Sequence, residues 1–259
     1  MPEVNIIVEA YQGENRSSDG SQFSVSFNPP FELPSTAKNI TVSLQAATVW
    51  WTVPNIGTTN NTIVVSGPSV LGPDQTYTVV IDTGLYDLSQ LEAAIQISLE
   101  NQGAAVNPEP LISLLADNAT SRVIIRLNYP SSQVDLTGIG TFRDILGFPA
   151  VVLSRPPISN IAPNVAQFNT VNSFFIHTDL VREGIRQNSI YDQAVGQVPI
   201  TVSPGSLINY APFNPPKISE PGLTGTKRSV LSFRLTDELN RAVDTGGESW
   251  SARLSIHYE

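Results

Sequence analysis

Two runs near the end of the chain alternate apolar and polar side chains with the period of a strand. Leu231, Phe233 and Leu235 mark the first, over residues 230–237; Trp250, Ala252, Leu254, Ile256 and Tyr258 mark the second, over 250–259. The residues between them include Asn240, Asp244, Gly246 and Gly247, which supply turn geometry, so the pattern predicts a long antiparallel pair. Upstream, Phe23, Val25 and Phe27 alternate until Asn28-Pro29-Pro30, where two missing ladder donors predict a stop. Ile40, Val42, Leu44 and Ala46 share one face of a longer run over 40–53. Past Ala47 this pattern blurs into Val49-Trp50-Trp51, which calls for a bulge or for cover on both faces. Further strands are predicted at 62–66, 75–82, 111–115, 122–128, 174–180 and 190–200.

One segment has helical spacing. Leu88, Leu91, Ile95 and Leu99 recur at three and four residues, Asp87 stands at the cap, Gln90 completes a capping box and Gly103 offers a stop. Residues 142–148 read as a helical turn closed by Gly147 and Pro149. Two stretches are irregular: 155–164, rich in Pro and Asn, and 204–225, with prolines at 204, 212, 215, 216 and 221. About a dozen short strands with one helix predict an all-β protein, an antiparallel jelly-roll β-sandwich with a covering helix near 88–100.

Composition narrows the function. Cysteine is absent, which removes disulfides, thiolate metal sites and a cysteine nucleophile, and the only histidines, His177 and His257, rule out a three-histidine metal site. No apolar run approaches the roughly 20 residues of a spanning helix, and the first residues lack the basic and apolar stretches of a secretion signal. The formal charge of −9 argues against a nucleic-acid groove; it divides into about −10 before residue 122 and about +1 after it. Motifs for nucleophile elbows, zinc-binding helices, phosphate loops and EF-hands are missing from the sequence. Carboxylate pairs such as Asp82 with Asp87, or Asp237 with Glu238, have structural explanations in a helix cap and a strand end, so no enzyme and no cofactor are expected. Acidic turns near Asp117 and Asp244 are candidate calcium loops that turn chemistry already explains.

The order of local motifs carries a resemblance. Pro54-Asn55-Ile56, Asn60-Asn61-Thr62-Ile63, Gly84-Leu85-Tyr86-Asp87-Leu88 opening a helix with Leu91 and Ile95, Phe142-Arg143-Asp144-Ile145-Leu146-Gly147-Phe148, His177-Thr178-Asp179-Leu180 and Leu235-Thr236-Asp237 follow one another before a last apolar strand. This series, over residues 39–259, resembles the jelly-roll capsid proteins of tailless icosahedral double-stranded DNA viruses: the penton and minor capsid proteins of adenovirus-like viruses, polinton-like viruses and virophages. The connection at 238–249 is longer than the hairpin of that family, and residues 1–34 have no counterpart in it. The resemblance implies a structural subunit located in the virion. Its partners would be copies of itself in a pentameric ring, other capsid proteins, and a membrane where one underlies the shell. Residues 1–34 then form an N-terminal arm with the first strands, and 35–259 the jelly roll.

Alternatives remain. A major capsid protein with two jelly rolls, 1–157 and 165–259, would be a trimer, and a carbohydrate-binding β-sandwich of a viral spike would stack sugars on exposed aromatics. The side chains expected at assembly contacts are Trp50 and Trp51 as an exposed aromatic pair, and Tyr210, Phe213, Pro215 and Pro216 on the proline-rich segment, since aromatics and rigid prolines lose little entropy on docking.

Overall fold

The computed structural model describes residues 2–70, 72–104, 109–187 and 190–259. The chain divides into two units, one made of Met1–Val53 with Val171–Glu259, the other of Pro54–Thr170. These limits do not coincide with a division after residue 34 or within 158–164. In chain order the first unit begins with β1 (Glu3–Glu9), β2 (Gln22–Glu32) and β3 (Thr41–Trp50). The second unit follows with β4 (Thr62–Ser69), β5 (Gly72–Val80), α1 (Leu88–Asn101), β6 (Ile112–Asp117), β7 (Arg122–Leu127), β8 (Gln133–Asp135), α2 (Arg143–Leu146), β9 (Val152–Ser154) and β10 (Ser159–Ile161). The chain then returns to the first unit through β11 (Ser173–Thr178), β12 (Arg186–Gln187), β13 (Ile190–Tyr191), β14 (Ala194–Pro199), β15 (Leu207–Tyr210), β16 (Ile218–Ser219), β17 (Lys227–Thr236) and β18 (Ser251–His257).

The first unit is a jelly roll. Its two main sheets run β1-β18-β3-β15 and β14-β11-β17-β2, all pairs antiparallel, with β16 added to β3. Along these eight strands the chain changes sheet at every step except from β11 to β14, which are joined through the β12–β13 pair. The expected hairpin of the last two runs is therefore corrected: β17 and β18 lie in opposite sheets. Apart from exposed Val230, both carry their large apolar side chains on one face, and as a hairpin they would leave that face needing another cover. Placed opposite each other, they bury Leu231, Phe233 and Leu235 together with Trp250, Ala252, Leu254 and Ile256. Phe23 links the two sheets, stacking on Phe233 at 5.4 Å and meeting Trp250 edge-on at 4.9 Å. The sheets pack tightly at Gly196, where a Cβ would stand 2.2 Å from the Leu44 side chain.

Two further local readings change. Strand β2 continues past Pro29 and Pro30, because it is the outermost strand of its sheet and a register shift opposite Arg228 and Val230 absorbs the lost donors. The blur in β3 is a bulge: Arg253 pairs with Ala46 but Leu254 with Leu44, so Gln45 is the extra residue. It switches the inward parity from Val42 and Leu44 to Ala47, Val49 and Trp51.

The second unit has two small sheets, β5-β4-β8-β9 and β10-β7-β6, with α1 packed on β5 and β6. Its helix follows the sequence signals closely. The Asp87 carboxylate accepts from Gln90 N–H while Gln90 returns a bond to Asp87 N–H. At the other end Gly103, at φ +81, donates to Glu100 O, and Ala104 donates to Leu99 O, closing the last turn. Leu91, Ile95 and Leu99 are buried against Ile63, Val65, Leu114 and Ile125. Among the described residues no helix is long and apolar enough to cross a membrane.

Candidate functional site

In the second unit the motifs at 54–63, 84–88 and 142–148 converge on a hydrogen-bonded junction. Asn55, 3% exposed, receives Tyr86 N–H on Oδ1 and donates through Nδ2 to Tyr86 O and Phe168 O. Its backbone N–H and that of Ile56 both reach Gly84 O. Asn60 closes the preceding turn, donating to Asn55 O and accepting from Gly57 N–H. The α2 turn joins the same region: Gln167 donates to Ile145 O, and Asn164 to Gly147 O. Gly147 is required there twice over, since its φ is +80 and a Cβ would lie 2.4 Å from Asn164 O. An asparagine fixing backbone on three sides makes a rigid support for loops, and every polar atom of its amide is used.

The expected contact residues all fall in the first unit, and they separate. Trp50 is 37% exposed on the outer face of β3, paired with Leu207 of β15. Trp51 is withdrawn from the contact set: the parity set by the Gln45 bulge turns it into the core at 5% exposure, with Gly205 N–H bound to its carbonyl. Tyr210 is half-buried at the end of β15, opposite Ala47. The segment after it is no free loop, because β15 and β16 at its two ends both pair with β3. Between these anchors Phe213 is fully exposed, flanked by Pro212 and half-buried Pro215, with Pro216 exposed. The fixed ends and three prolines hold Phe213 out with little conformational freedom left to lose on docking.

Acids that might have formed a catalytic pair serve structure. Asp87 caps α1, and the Gln90 N–H and Ser89 hydroxyl bonds hold its carboxyl below the ordinary value of 3.8. Asp237 accepts Leu239 N–H, Arg241 N–H and Arg241 Nε, closing the turn after β17, while Glu238 accepts from Asn172. Asp117 binds Ala119 N–H and the Thr120 hydroxyl, and Asp244 binds Gly246 N–H. No group of three His, Asp or Glu able to hold a metal occurs among the described residues.

A cavity of about 370 Å³ beside β11 and β17, with no local signature in the chain, is lined by Gln22, Ser24, His177, Asp179 and Arg234 together with Phe23 and Phe233 among others. His177 is buried at its wall, with Nε2 bonded to the Thr236 hydroxyl at 2.7 Å. Its Nδ1 stands 3.3 Å from Asp192 Oδ1 without a hydrogen bond, and Arg234 approaches the same oxygen at 3.6 Å. Burial pushes the imidazole below its ordinary 6.5; Asp192 pulls it back only in part, and Arg234 adds to the depression, so the ring is neutral at neutral pH. A strand over 174–180 was readable, but the meeting of 177, 192 and 234 depends on pairings distant in sequence.

Comparison with known proteins gives three results. A family model described as a bacterial Ig-like domain matches residues 7–100, a stretch that takes the end of β1, then β2 and β3 of the jelly roll, and the first part of the other unit. No curated protein matches the chain. Among solved structures, the mavirus penton protein is similar at 11% identity and a TM-score of 0.48, covering 99% of this chain and 99% of that one. A chain of the Sputnik virophage structure determined by cryo-EM is similar at 12% identity and a TM-score of 0.44, covering 98% of this chain and 97% of that one.

Proposed function

We propose that the chain is a structural subunit of an icosahedral viral capsid, acting as a penton or minor capsid protein that forms rings at vertices. The observation that carries this reading is a coincidence of two independent features. One is a complete jelly-roll strand order, an architecture used by viral capsid and lectin domains. The other is the ordered motif series, whose members at Asn55, Asn60, Gly84 and Tyr86 meet in one hydrogen-bonded junction, with the 142–148 turn bonded through Ile145 O to Gln167, next to Phe168 of that junction. Fold alone assigns no function, so the motif series bears most of the weight. In this role the jelly roll supplies the wall, and Trp50, Tyr210 and Phe213 supply contacts to neighbouring copies. Pentamer formation is tested by sedimentation over a concentration series. A species of five times 28.0 kDa that Phe213→Ala dissociates supports the ring. A trimer shifts the reading to a major capsid protein, and a monomer at every concentration removes the self-assembling ring.

The cavity beside β11 favours one second reading, a carbohydrate-binding sandwich, because amide, hydroxyl, carboxylate and guanidinium groups converge there beside Phe23 and Phe233. A glycan array separates the two: saturable binding lost in Arg234→Ala selects it.

A further inference from the structure

Among the described residues the jelly roll leaves a regular strand edge open at β1. Ala10 N–H bonds to Trp250 O and Tyr258 N–H to Pro2 O, so even-numbered residues of β1 exchange hydrogen bonds with β18. The backbone N–H and C=O groups of Glu3, Asn5, Ile7 and Glu9 therefore point the other way, along an edge that pairs with no strand among the described residues. The other outer strands are blunted. Glu14 bridges the edge of β2 at Ser24, and Pro29 and Pro30 interrupt it further on. Ile185 donates to Ala194 O of β14, which ends on Pro199, and β15 spans only Leu207–Tyr210. Strand β1 has neither proline nor bulge over its seven paired positions, and an open edge of that kind is a template for another strand.

The surroundings specify what fits. A slot of about 310 Å³ runs between β1 and β2, lined by Ile7, Val8, Glu9, Gln12, Glu14 and Val25 among others, with no Lys or Arg in its walls. Ile7 is 66% exposed and Tyr11, just beyond the strand, 81%. Three carboxylates mark the edge and slot: Glu3, Glu9 and Glu14. Glu3 and Glu14 accept from the Ser255 and Ser26 hydroxyls, and Glu9 has no side-chain partner among the described residues. A second copy brings the same carboxylates to the seam, and in the antiparallel register centred on Ile6 it sets Glu3 against Glu9 twice, where like charges facing each other across strands repel.

We propose that the outer edge of β1 is a docking site for an extended, basic segment of another protein, added as an extra strand. Its backbone takes the free groups of Glu3, Asn5, Ile7 and Glu9, small side chains on one face enter the slot, whose walls carry Glu9, Gln12, Glu14 and Ser26 beside Ile7, Val8 and Val25, and Lys or Arg on the other meet Glu3 and Glu9. This stands independently of the capsid role.

The test titrates the whole protein against a fluorescein-labelled heptapeptide alternating Lys and Val, followed by anisotropy, beside the same peptide N-methylated at every second amide. Methylation keeps the charge and removes strand pairing. The expected result is saturable binding by the parent peptide, at least about tenfold weaker binding by the methylated one, and a similar loss for Glu9→Lys with Glu14→Lys. Hydrogen exchange at Asn5, Ile7 and Glu9 should slow on binding the parent. Equal binding of the two peptides overturns the proposal in favour of charge attraction alone. So does absence of saturable binding, or slow exchange at these amides together with a dimer before any peptide is added, which would mean that a second copy holds the edge.

Discussion

The two units reach order by opposite routes. In the jelly roll nearly every strand pairs with one far away in sequence: Glu3 faces His257, Thr41 faces both His257 and Ser219, and Leu231 faces Val25. Little in the local chain dictates those pairings, and they are held by two apolar faces buried against each other. In the inserted unit, short-range devices dominate. The capping box at Asp87, the left-handed Gly103 and Gly147, and the β4–β5 and β6–β7 hairpins all form between near neighbours. Contacts local in sequence cost less chain entropy to close, so the inserted unit is expected to form its elements first.

The contrast predicts where substitutions act. The largest effect belongs to Trp250→Ala: this side chain is fully buried, packs on Phe23 and donates through Nε1 to Gly20 O, so its loss should cost about 3–5 kcal/mol. Denaturant unfolding read by signals confined to each unit would place that loss in the jelly roll. Next comes Gly147→Ala, which must adopt positive φ and push on Asn164 O; a cost of about 1–3 kcal/mol should appear in the inserted unit. Equal losses in both units from either change would mean that they unfold as one body and would break the comparison.

The smallest effect is the sharpest in pH. Asp87→Ala removes the cap of α1 and should cost about 1 kcal/mol at neutral pH. Because the folded carboxyl titrates below its ordinary 3.8, the unfolded chain binds the proton first as pH falls. The difference between parent and variant is therefore full above that value and fades as pH drops through the lower folded one. A difference that persists unchanged in strong acid would contradict a charge-dependent cap.

What could be read in the sequence follows the same division. The helix, its cap and stop, the α2 turn and the alternating faces of β17 and β18 were legible because each is written within a few residues. The partners of those faces were not. Residues 231–235 and 250–256 have the pattern of a hairpin and of two strands facing across a core equally well, and only the connection decides. There Asp237 turns the chain back, Thr245 donates to Asp19 O and Trp250 to Gly20 O, which carries β18 across to the other sheet. The blurred alternation past Ala47 allowed a bulge without placing it at Gln45, so Trp50 and Trp51 read as an exposed pair when only Trp50 is exposed. The segment 204–225 looked irregular because prolines flank β15 and β16, yet both strands extend the sheet beside β3.

The most direct test of this architecture uses the absence of cysteine from the chain. Thr48 pairs with Ser251 across β3 and β18, their hydroxyls 2.5 Å apart, and Ser24 pairs with Ser232 across β2 and β17. Each pair would be replaced by two cysteines and the protein oxidised while folded, with cross-links mapped by mass spectrometry. The jelly roll predicts that both pairs close, and that a control pair joining Ser232 on β17 to Ser251 on β18 does not. Closure of the control while the other two stay open would make the last two strands a hairpin and contradict the fold.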